Sequence, residues 1–182
     1  MRTIKIEFRK FGDIHLSDLI GAVGVYVIWD SRAKKKPTYI GEGNILKRLT
    51  DHTQRDSRKF ASPWDGYIAI IEGSTRNVHK TETEIIERLL LEVADETDRW
   101  PSSNYHPGSS KSVLHYCRDE KLRVAISGYD PLIAPRISKK LSRPKEIKIW
   151  SNNRAKNEFD FDHDWRFRRR VRKSSGKGKQ ES

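Results

Sequence analysis

The chain has 182 residues, which suits one folded domain or one compact core with an extension, and its 17 aromatic residues (five Trp, six Tyr, six Phe) exclude a wholly disordered chain. Its single cysteine, Cys117, excludes an intrachain disulfide, and no apolar run approaches the roughly 18 residues of a membrane span, so we expect a cytoplasmic protein. The net charge of +12 is uneven: residues 1–110 carry 17 Lys and Arg against 16 Asp and Glu, whereas residues 111–182 carry 20 against 9.

Three strands are predicted in the first half of the chain. Residues 3–8 alternate apolar and polar side chains, which indicates a half-buried strand. Residues 24–29 are β-branched and aromatic, which is typical of a central strand. A lysine-rich turn at residues 31–37 leads into a further strand that begins at residues 38–41. The last two strands therefore predict a hairpin.

Two helices and another strand are expected next. Asn44 is placed to cap a helix that continues through His52. Residues 66–72 predict a strand, and residues 80–94 predict a second helix. The buried face of that helix is indicated by apolar residues at helical spacing, which are Ile85, Ile86, Leu89, Leu90 and Val93.

The remaining sequence carries weaker patterns. Residues 111–119 suggest a short helix, and residues 122–127 and 146–150 suggest strands. The acidic run at residues 160–164 predicts a solvated turn rather than a metal site, because no second group of ligands stands at a suitable spacing. Residues from 166 onward are rich in Arg and Lys and predict a flexible arm.

This order of elements predicts an α+β fold, with a small antiparallel three-stranded sheet and flanking helices. An N-terminal strand precedes that core and a basic C-terminal extension follows it. The expected boundaries are a strand and connection at 1–20, a core at 21–110, an extension packed on the core at 111–165 and a basic flexible arm at 166–182.

Four side chains with suitable chemistry are predicted to share one site. Tyr26 and Tyr39 lie on adjacent predicted strands, where alternate residues share a face, although strand propensity alone also explains both. Arg48 and His52 are four residues apart and share a helical face, as they would on an ordinary charged surface. Together they suit phosphate-ester chemistry, because Arg binds phosphate oxygens and His exchanges protons near neutral pH.

At this point the sequence resembles the GIY-YIG nuclease superfamily. The match spans about residues 20–105 and follows the family's order of strands and helices. The matching residues are Gly24-Val25-Tyr26, Tyr39-Ile40-Gly41, Arg48, His52, Glu87 in the second helix, and Asn104 in a Pro-x-x-Asn motif that begins at Pro101. Glu42 departs from some repair-type members, which have Lys at this position.

The resemblance implies a GIY-YIG-like core and metal-dependent hydrolysis of a phosphodiester bond. Glu87 would bind Mg²⁺ or Mn²⁺, with Glu84 as the competing ligand because the register of the second helix is not forced. Arg48 would hold the scissile phosphate, and Asn104 would support the metal–phosphate region. Tyr26, helped by His52 or Tyr39, would take a proton from water, and the choice between Tyr26 and His52 as general base stays open.

The implied substrate is double-stranded DNA. A one-sided positive field attracts polyanions, of which nucleic acid is the commonest, although a solubilising tail would have the same composition. The expected DNA contacts are Lys47, Arg166, Arg168, Arg169, Arg170, Arg172 and Lys173. Within the family the size is closest to compact type II restriction endonucleases, which suggests a homodimer on DNA. The alternatives are a structure-specific or mobile-element nuclease and a catalytically inactive nucleic-acid-binding protein of the same fold.

Overall fold

A computed structural model describes residues 1–30, 35–55, 64–71, 76–104, 121–153 and 158–166. The strands are β1 (Arg2–Lys10), β2 (Val23–Asp30), β3 (Tyr39–Asn44), β4 (Trp64–Ile70), β5 (Leu122–Gly128), β6 (Lys145–Asn153) and β7 (Glu158–His163). The α-helices are α1 (Ile45–Arg55) and α2 (Arg76–Glu96), and two short 3₁₀ helices, Phe11–Asp13 and Leu16–Leu19, follow β1. Neither described α-helix is long and apolar enough to cross a bilayer.

The strands form one seven-stranded mixed sheet in the order β3-β2-β4-β1-β5-β6-β7. The α+β class is confirmed, and β2, β3 and β4 pair antiparallel. However, the sheet is larger than the predicted three-stranded one, because β1 pairs with β4 on one side and in parallel with β5 on the other. Alternation within residues 3–8 predicts a strand but carries no information about its distant parallel partner, so the sequence pattern could not give this extension.

The face of the sheet under α2 holds the main hydrophobic core. The apolar side chains of β1 and β2 that point to this face, such as Phe8 and Val27, pack with Ile86 and Leu90 of α2. The connection between β5 and β6 completes this layer through Leu132 and other residues. Burial therefore follows the period-2 pattern of the strands and the 3.6-residue pattern of α2, as the sequence predicts.

A smaller cluster covers the other face at the β3-β2-β4 end. Tyr26, Ile28 and Ile68 point to this side and pack with Ile45 of α1 and Leu19 of the second 3₁₀ helix. This arrangement matters for function because α1 lies against the same face of the sheet that carries the two tyrosines.

The acidic run at residues 160–164 is not the predicted solvated turn. Residues 160–163 belong to β7, and the imidazole of His163 is buried and contacts the carboxylate of Glu96 at 3.0 Å. The indole of Trp165 is 1% exposed and donates a hydrogen bond to Asp130, so this residue packs in the core. The helix predicted at residues 111–119 and the arm beyond residue 166 lie outside the described residues.

Candidate active site

Tyr26 and Tyr39 lie on one face of the β2–β3 hairpin. The register pairs Tyr26 with Gly41 and Ile28 with Tyr39, so the two phenol rings are neighbours with centroids 6.1 Å apart. Gly41 provides the space for them: a Cβ atom there would lie 2.6 Å from the Tyr26 hydroxyl oxygen and 2.6 Å from Cε1 of Tyr39. The glycine therefore allows the buried hydroxyl to extend over the edge strand.

Helix α1 brings Arg48 and His52 to the same face. The side-chain oxygen of Asn44 accepts a hydrogen bond from the Lys47 amide at 3.0 Å, which confirms the predicted N-cap. Gly43, with φ +116°, turns the chain from β3 into α1, and a Cβ atom at Gly43 would lie 3.5 Å from Nε of Arg48. Arg48 therefore lies over the junction of β3 and α1.

A hydrogen bond joins His52 to the tyrosine pair. Nε2 of His52 lies 2.9 Å from the Tyr26 hydroxyl, and the imidazole meets the Tyr39 ring edge to face at a centroid distance of 4.7 Å. Arg48 and His52, one helical turn apart, thus face the sheet side by side, as the sequence spacing predicts.

The Tyr26 phenol is strongly held in its neutral form. Burial raises its pKa well above the ordinary value of 10.0, and Tyr39, Glu87 and Glu42 raise it further, whereas Arg48 lowers it. A neutral hydroxyl donates one hydrogen bond and also accepts, so Tyr26 is suited to passing a proton to His52 rather than to acting as a free phenolate.

Helix α2 supplies carboxylate chemistry at the adjacent edge of the sheet. Thr83 and Glu87 are four residues apart and share one face of α2. The fully buried hydroxyl of Thr83 donates a hydrogen bond to Oε2 of Glu42 on β3 at 2.7 Å. Glu42 is therefore oriented toward α2, where its negative charge acts on Glu87.

Burial and the charge of Glu42 raise the pKa of Glu87 from 4.5 to about 7. Arg48 and Arg88 act in the opposite direction, and Glu84 raises the pKa with a smaller effect than Glu42. Arg48 and Glu87 also both act on Tyr26. One electrostatic environment therefore links the tyrosine of β2, the arginine of α1 and the glutamate of α2.

The residues present fit a hard divalent cation that takes some of its ligands from the protein and the others from a substrate and water. Within the described residues, no group of three or more His, Cys, Asp and Glu side chains is arranged to hold a metal ion. Mg²⁺ is commonly held by one or two protein carboxylates together with substrate phosphate oxygens and water. Burial and the negative charge of Glu42 raise the pKa of Glu87, and a bound cation would favour the ionised carboxylate at this position.

Asn104 forms two hydrogen bonds with the backbone of the edge strand β3. Its side-chain oxygen accepts a hydrogen bond from the amide of Ile40 at 2.9 Å, and its side-chain nitrogen donates one to the Ile40 carbonyl at 2.8 Å. Asn104 therefore provides hydrogen-bond partners for the backbone amide and carbonyl of β3 at Ile40, next to Tyr39. These bonds position the edge strand, and the support of a metal–phosphate region by Asn104 stays a prediction.

Two of the seven predicted DNA contacts, Lys47 and Arg166, lie within the residues that the structure describes. Lys47 is exposed on α1, next to Arg48. Arg166 is exposed, and its guanidinium folds back onto the carbonyl of His163 at 2.6 Å and lies 3.9 Å from Asp162. The other five predicted contacts, Arg168, Arg169, Arg170, Arg172 and Lys173, lie outside the described residues.

Three residues of the site have no role that the sequence patterns predict. The sequence presents Glu42 only as a departure from repair-type members, and its patterns give no site role to Thr83 or Gly41. Strand alternation could have predicted that Gly41 lies at the site, because residues 39 and 41 of one strand point to the same face. The pairing of Glu42 with Thr83 depends on how α2 packs on β3, which local spacing does not predict.

Comparison of the chain with protein-family models, with curated proteins and with solved structures gives no match.

Proposed function

We propose that the chain is a metal-dependent endodeoxyribonuclease of the GIY-YIG type. The observation that carries the proposal is the hydrogen bond between Tyr26 and His52, in a site where Arg48 and Glu87 both act on the same phenol. These four groups come from one strand and two helices, in the chain order of the motifs that the sequence shares with the family. They supply a proton acceptor, a phosphate ligand and a metal ligand.

Arg48 binds the scissile phosphate in this proposal. It is exposed on α1 and lies over Gly43, so its guanidinium is accessible to a phosphate arriving from solvent. A planar guanidinium donates two parallel hydrogen bonds to phosphate oxygens and stabilises the charge that develops on them during hydrolysis.

The proton of the attacking water travels through Tyr26 to His52. A phenol with a strongly raised pKa is a poor free base, but its oxygen accepts a proton from water as its own proton moves to Nε2 of His52. The general base is therefore His52, and Tyr26 connects it to the water. Tyr39 packs against both and limits the positions of the imidazole.

Glu87, with Glu42 beside it, would hold Mg²⁺ or Mn²⁺. When bound, such an ion stabilises negative charge on the phosphate and on the leaving oxygen. Thr83 fixes the Glu42 carboxylate, so the buried hydroxyl reduces the freedom of one of the two carboxylates before any cation binds.

The most specific form of the proposal is a type II restriction-like enzyme that cuts double-stranded DNA at defined sites. It rests on the resemblance of the sequence to compact family members and on Glu42, which replaces the Lys of some repair-type members.

Digestion of a defined plasmid tests the proposal directly. Incubation with Mg²⁺ or Mn²⁺, followed by sequencing of the product ends, should give discrete fragments, and EDTA or Glu87→Gln should prevent cleavage. A smear would indicate a nonspecific nuclease, and cleavage of branched DNA alone would indicate a structure-specific one. A folded protein that binds but does not cut any of these substrates would contradict the enzymatic proposal.

A further inference from the structure

The face of the sheet that carries Tyr26 continues beyond the candidate active site. The register pairs Tyr26 with Ile68 and Ile68 with Arg9, so these three residues lie in one row on one face. On the same face, β1 presents Thr3, Lys5, Glu7 and Arg9, all of them exposed, and β5 presents Arg123, Ala125 and Ser127. This open part of the sheet lies beside the smaller hydrophobic cluster under α1.

Two grooves run along this face and meet at Thr3 and Lys5. The first lies between β1 and β4 and is lined by Arg9 and Ile68, next to the row of Tyr26. The second, with a volume of about 890 Å³, crosses β5 toward β6 and is lined by Ala125, Ser127 and Arg143. Small side chains at its floor leave room for a strand of sugar-phosphate backbone to lie against the sheet.

The cations of the second groove are not balanced by its acidic residues. Glu146 forms ion pairs with Arg123 and Lys148, and Asp164 accepts a hydrogen bond from the amide of Glu146 at 2.9 Å. Within the described residues, neither Lys5 nor Arg143 has an ion-pair partner. The lining of the second groove therefore carries one more cation than acidic side chains, and this groove meets the first one at Thr3 and Lys5.

We propose that this groove, called here the Lys5–Arg143 groove, binds the phosphate backbone of duplex DNA flanking the cleaved bond. The inference rests on the proposed nuclease function, since that function places DNA at Tyr26. Lys5 lies two strands across and four residues along from Tyr26, which is about 16 Å at ordinary sheet spacings. That distance corresponds to about five base pairs at 3.4 Å per step.

Salt-dependent binding of a 24-base-pair duplex in EDTA tests the groove without cleavage. Each phosphate contact contributes about −0.9 to the slope of log affinity against log salt. The double variant Lys5→Ala/Arg143→Ala should therefore have a slope shallower by about 1.8 than the wild type. Both side chains belong to exposed residues, so the fold should be retained, and an unchanged thermal midpoint checks this.

The matched control is Arg136→Ala/Lys139→Ala, which removes the same charge from exposed positions of the β5–β6 connection. That connection covers the opposite, α2 face of the sheet. The slope of log affinity against log salt for Arg136→Ala/Lys139→Ala should equal that of the wild type. Equal changes in both double variants, or no change in Lys5→Ala/Arg143→Ala, would overturn the proposal.

A single-stranded 24-mer identifies the kind of nucleic acid. If Lys5→Ala/Arg143→Ala has a shallower slope of log affinity against log salt than the wild type only with the single strand, duplex DNA is not the occupant of the groove. The plasmid digestion is independent of these slopes: cleavage with unchanged slopes rejects the groove alone, and changed slopes without any cleavage reject the nuclease function alone.

Discussion

The hydroxyl of Tyr26 lies 2.9 Å from Nε2 of His52, across 26 positions of sequence. The contact forms because Gly43 and the Asn44 cap fix where α1 begins, and because Gly41 has no side chain that would clash with the buried hydroxyl. The geometry of this pair thus depends on a strand register and a helix start, both of which are set by neighbouring residues rather than by the pair itself.

Replacing Tyr26 by Phe should reduce cleavage by roughly 10²- to 10⁴-fold, the usual contribution of positioned proton transfer. The ring and its packing are kept, so only the connection between water and His52 is lost. Single-turnover cleavage at saturating enzyme, measured across pH, tests this. If the rate and the pH profile of Tyr26→Phe match those of the wild type, the proton path through Tyr26 is wrong.

The matched control is Tyr67→Phe, which removes another buried phenol. The Tyr67 hydroxyl donates to the carbonyl of Ile133 at 2.6 Å, in the core under α2. This change should lower the free energy of unfolding by about 1 kcal/mol, because a partly buried hydrogen bond is lost. Cleavage per folded molecule should be unchanged.

Arg48→Ala should slow cleavage by about 10²-fold or more, because a group that stabilises developing phosphate charge is lost. The fold should persist, since Arg48 is exposed rather than in the core. Arg136→Ala, at an exposed arginine of the β5–β6 connection, is the control. A large fall in thermal midpoint with a normal rate per folded molecule would make Arg48 structural.

Gly41→Ala should reduce cleavage about as much as Tyr26→Phe. The added methyl group would lie 2.6 Å from both the Tyr26 hydroxyl oxygen and Cε1 of Tyr39, so the packing of the two rings around His52 must change. Gly12→Ala is the matched control, because a Cβ atom at Gly12 has no heavy atom within 4 Å. If Gly41→Ala and Gly12→Ala cleave DNA at similar rates, cleavage does not depend on the present position of the Tyr26 hydroxyl.

The local elements could be predicted from the sequence because their signals are local. Asn44 supplies a cap, residues 24–29 alternate across a sheet, and the apolar positions of α2 repeat at helical spacing. For the same reason, the common face of Arg48 and His52 follows from a spacing of four residues.

What the sequence could not predict depends on contacts between distant segments. The parallel pairing of β1 with β5 joins residues more than a hundred positions apart, and it converts a small hairpin sheet into a seven-stranded one. Residues 160–163 form most of β7 because their backbone pairs with β6, despite a composition typical of a turn. Asn104 is similar, since both of its polar side-chain atoms bind the distant backbone of Ile40.

Truncation after Arg166 should weaken DNA binding and flatten its salt dependence. The removed residues include Arg168, Arg169, Arg170, Arg172 and Lys173, and each phosphate contact contributes about −0.9 to the log–log slope. Binding of a 24-base-pair duplex between roughly 50 and 200 mM salt measures the change. Identical slopes for the two forms would make the basic run a solubilising tail.

The raised pKa of Glu87 predicts a pH-dependent stability in the presence of a chelator. Because burial and Glu42 raise this pKa from 4.5 to about 7, the folded protein favours the protonated carboxyl more than the unfolded chain does. The contribution of Glu87 to the free energy of unfolding should therefore be fully present below pH 4.5 and should be lost as the pH rises through about 7. Glu87→Gln lacks this loss, so it should match the wild type at low pH and exceed its stability above pH 7 by on the order of 1–3 kcal/mol.

Denaturant unfolding at a series of pH values measures this difference, and Glu84→Gln is the control for the same chemical change one helical turn earlier. The control should keep the wild-type decline in stability. Mg²⁺ should then stabilise the wild type at pH 8 more than it stabilises Glu87→Gln, because a cation that binds only the folded state shifts the unfolding equilibrium. If the two glutamate variants respond alike to pH and to Mg²⁺, Glu87 is not the principal carboxylate of the site.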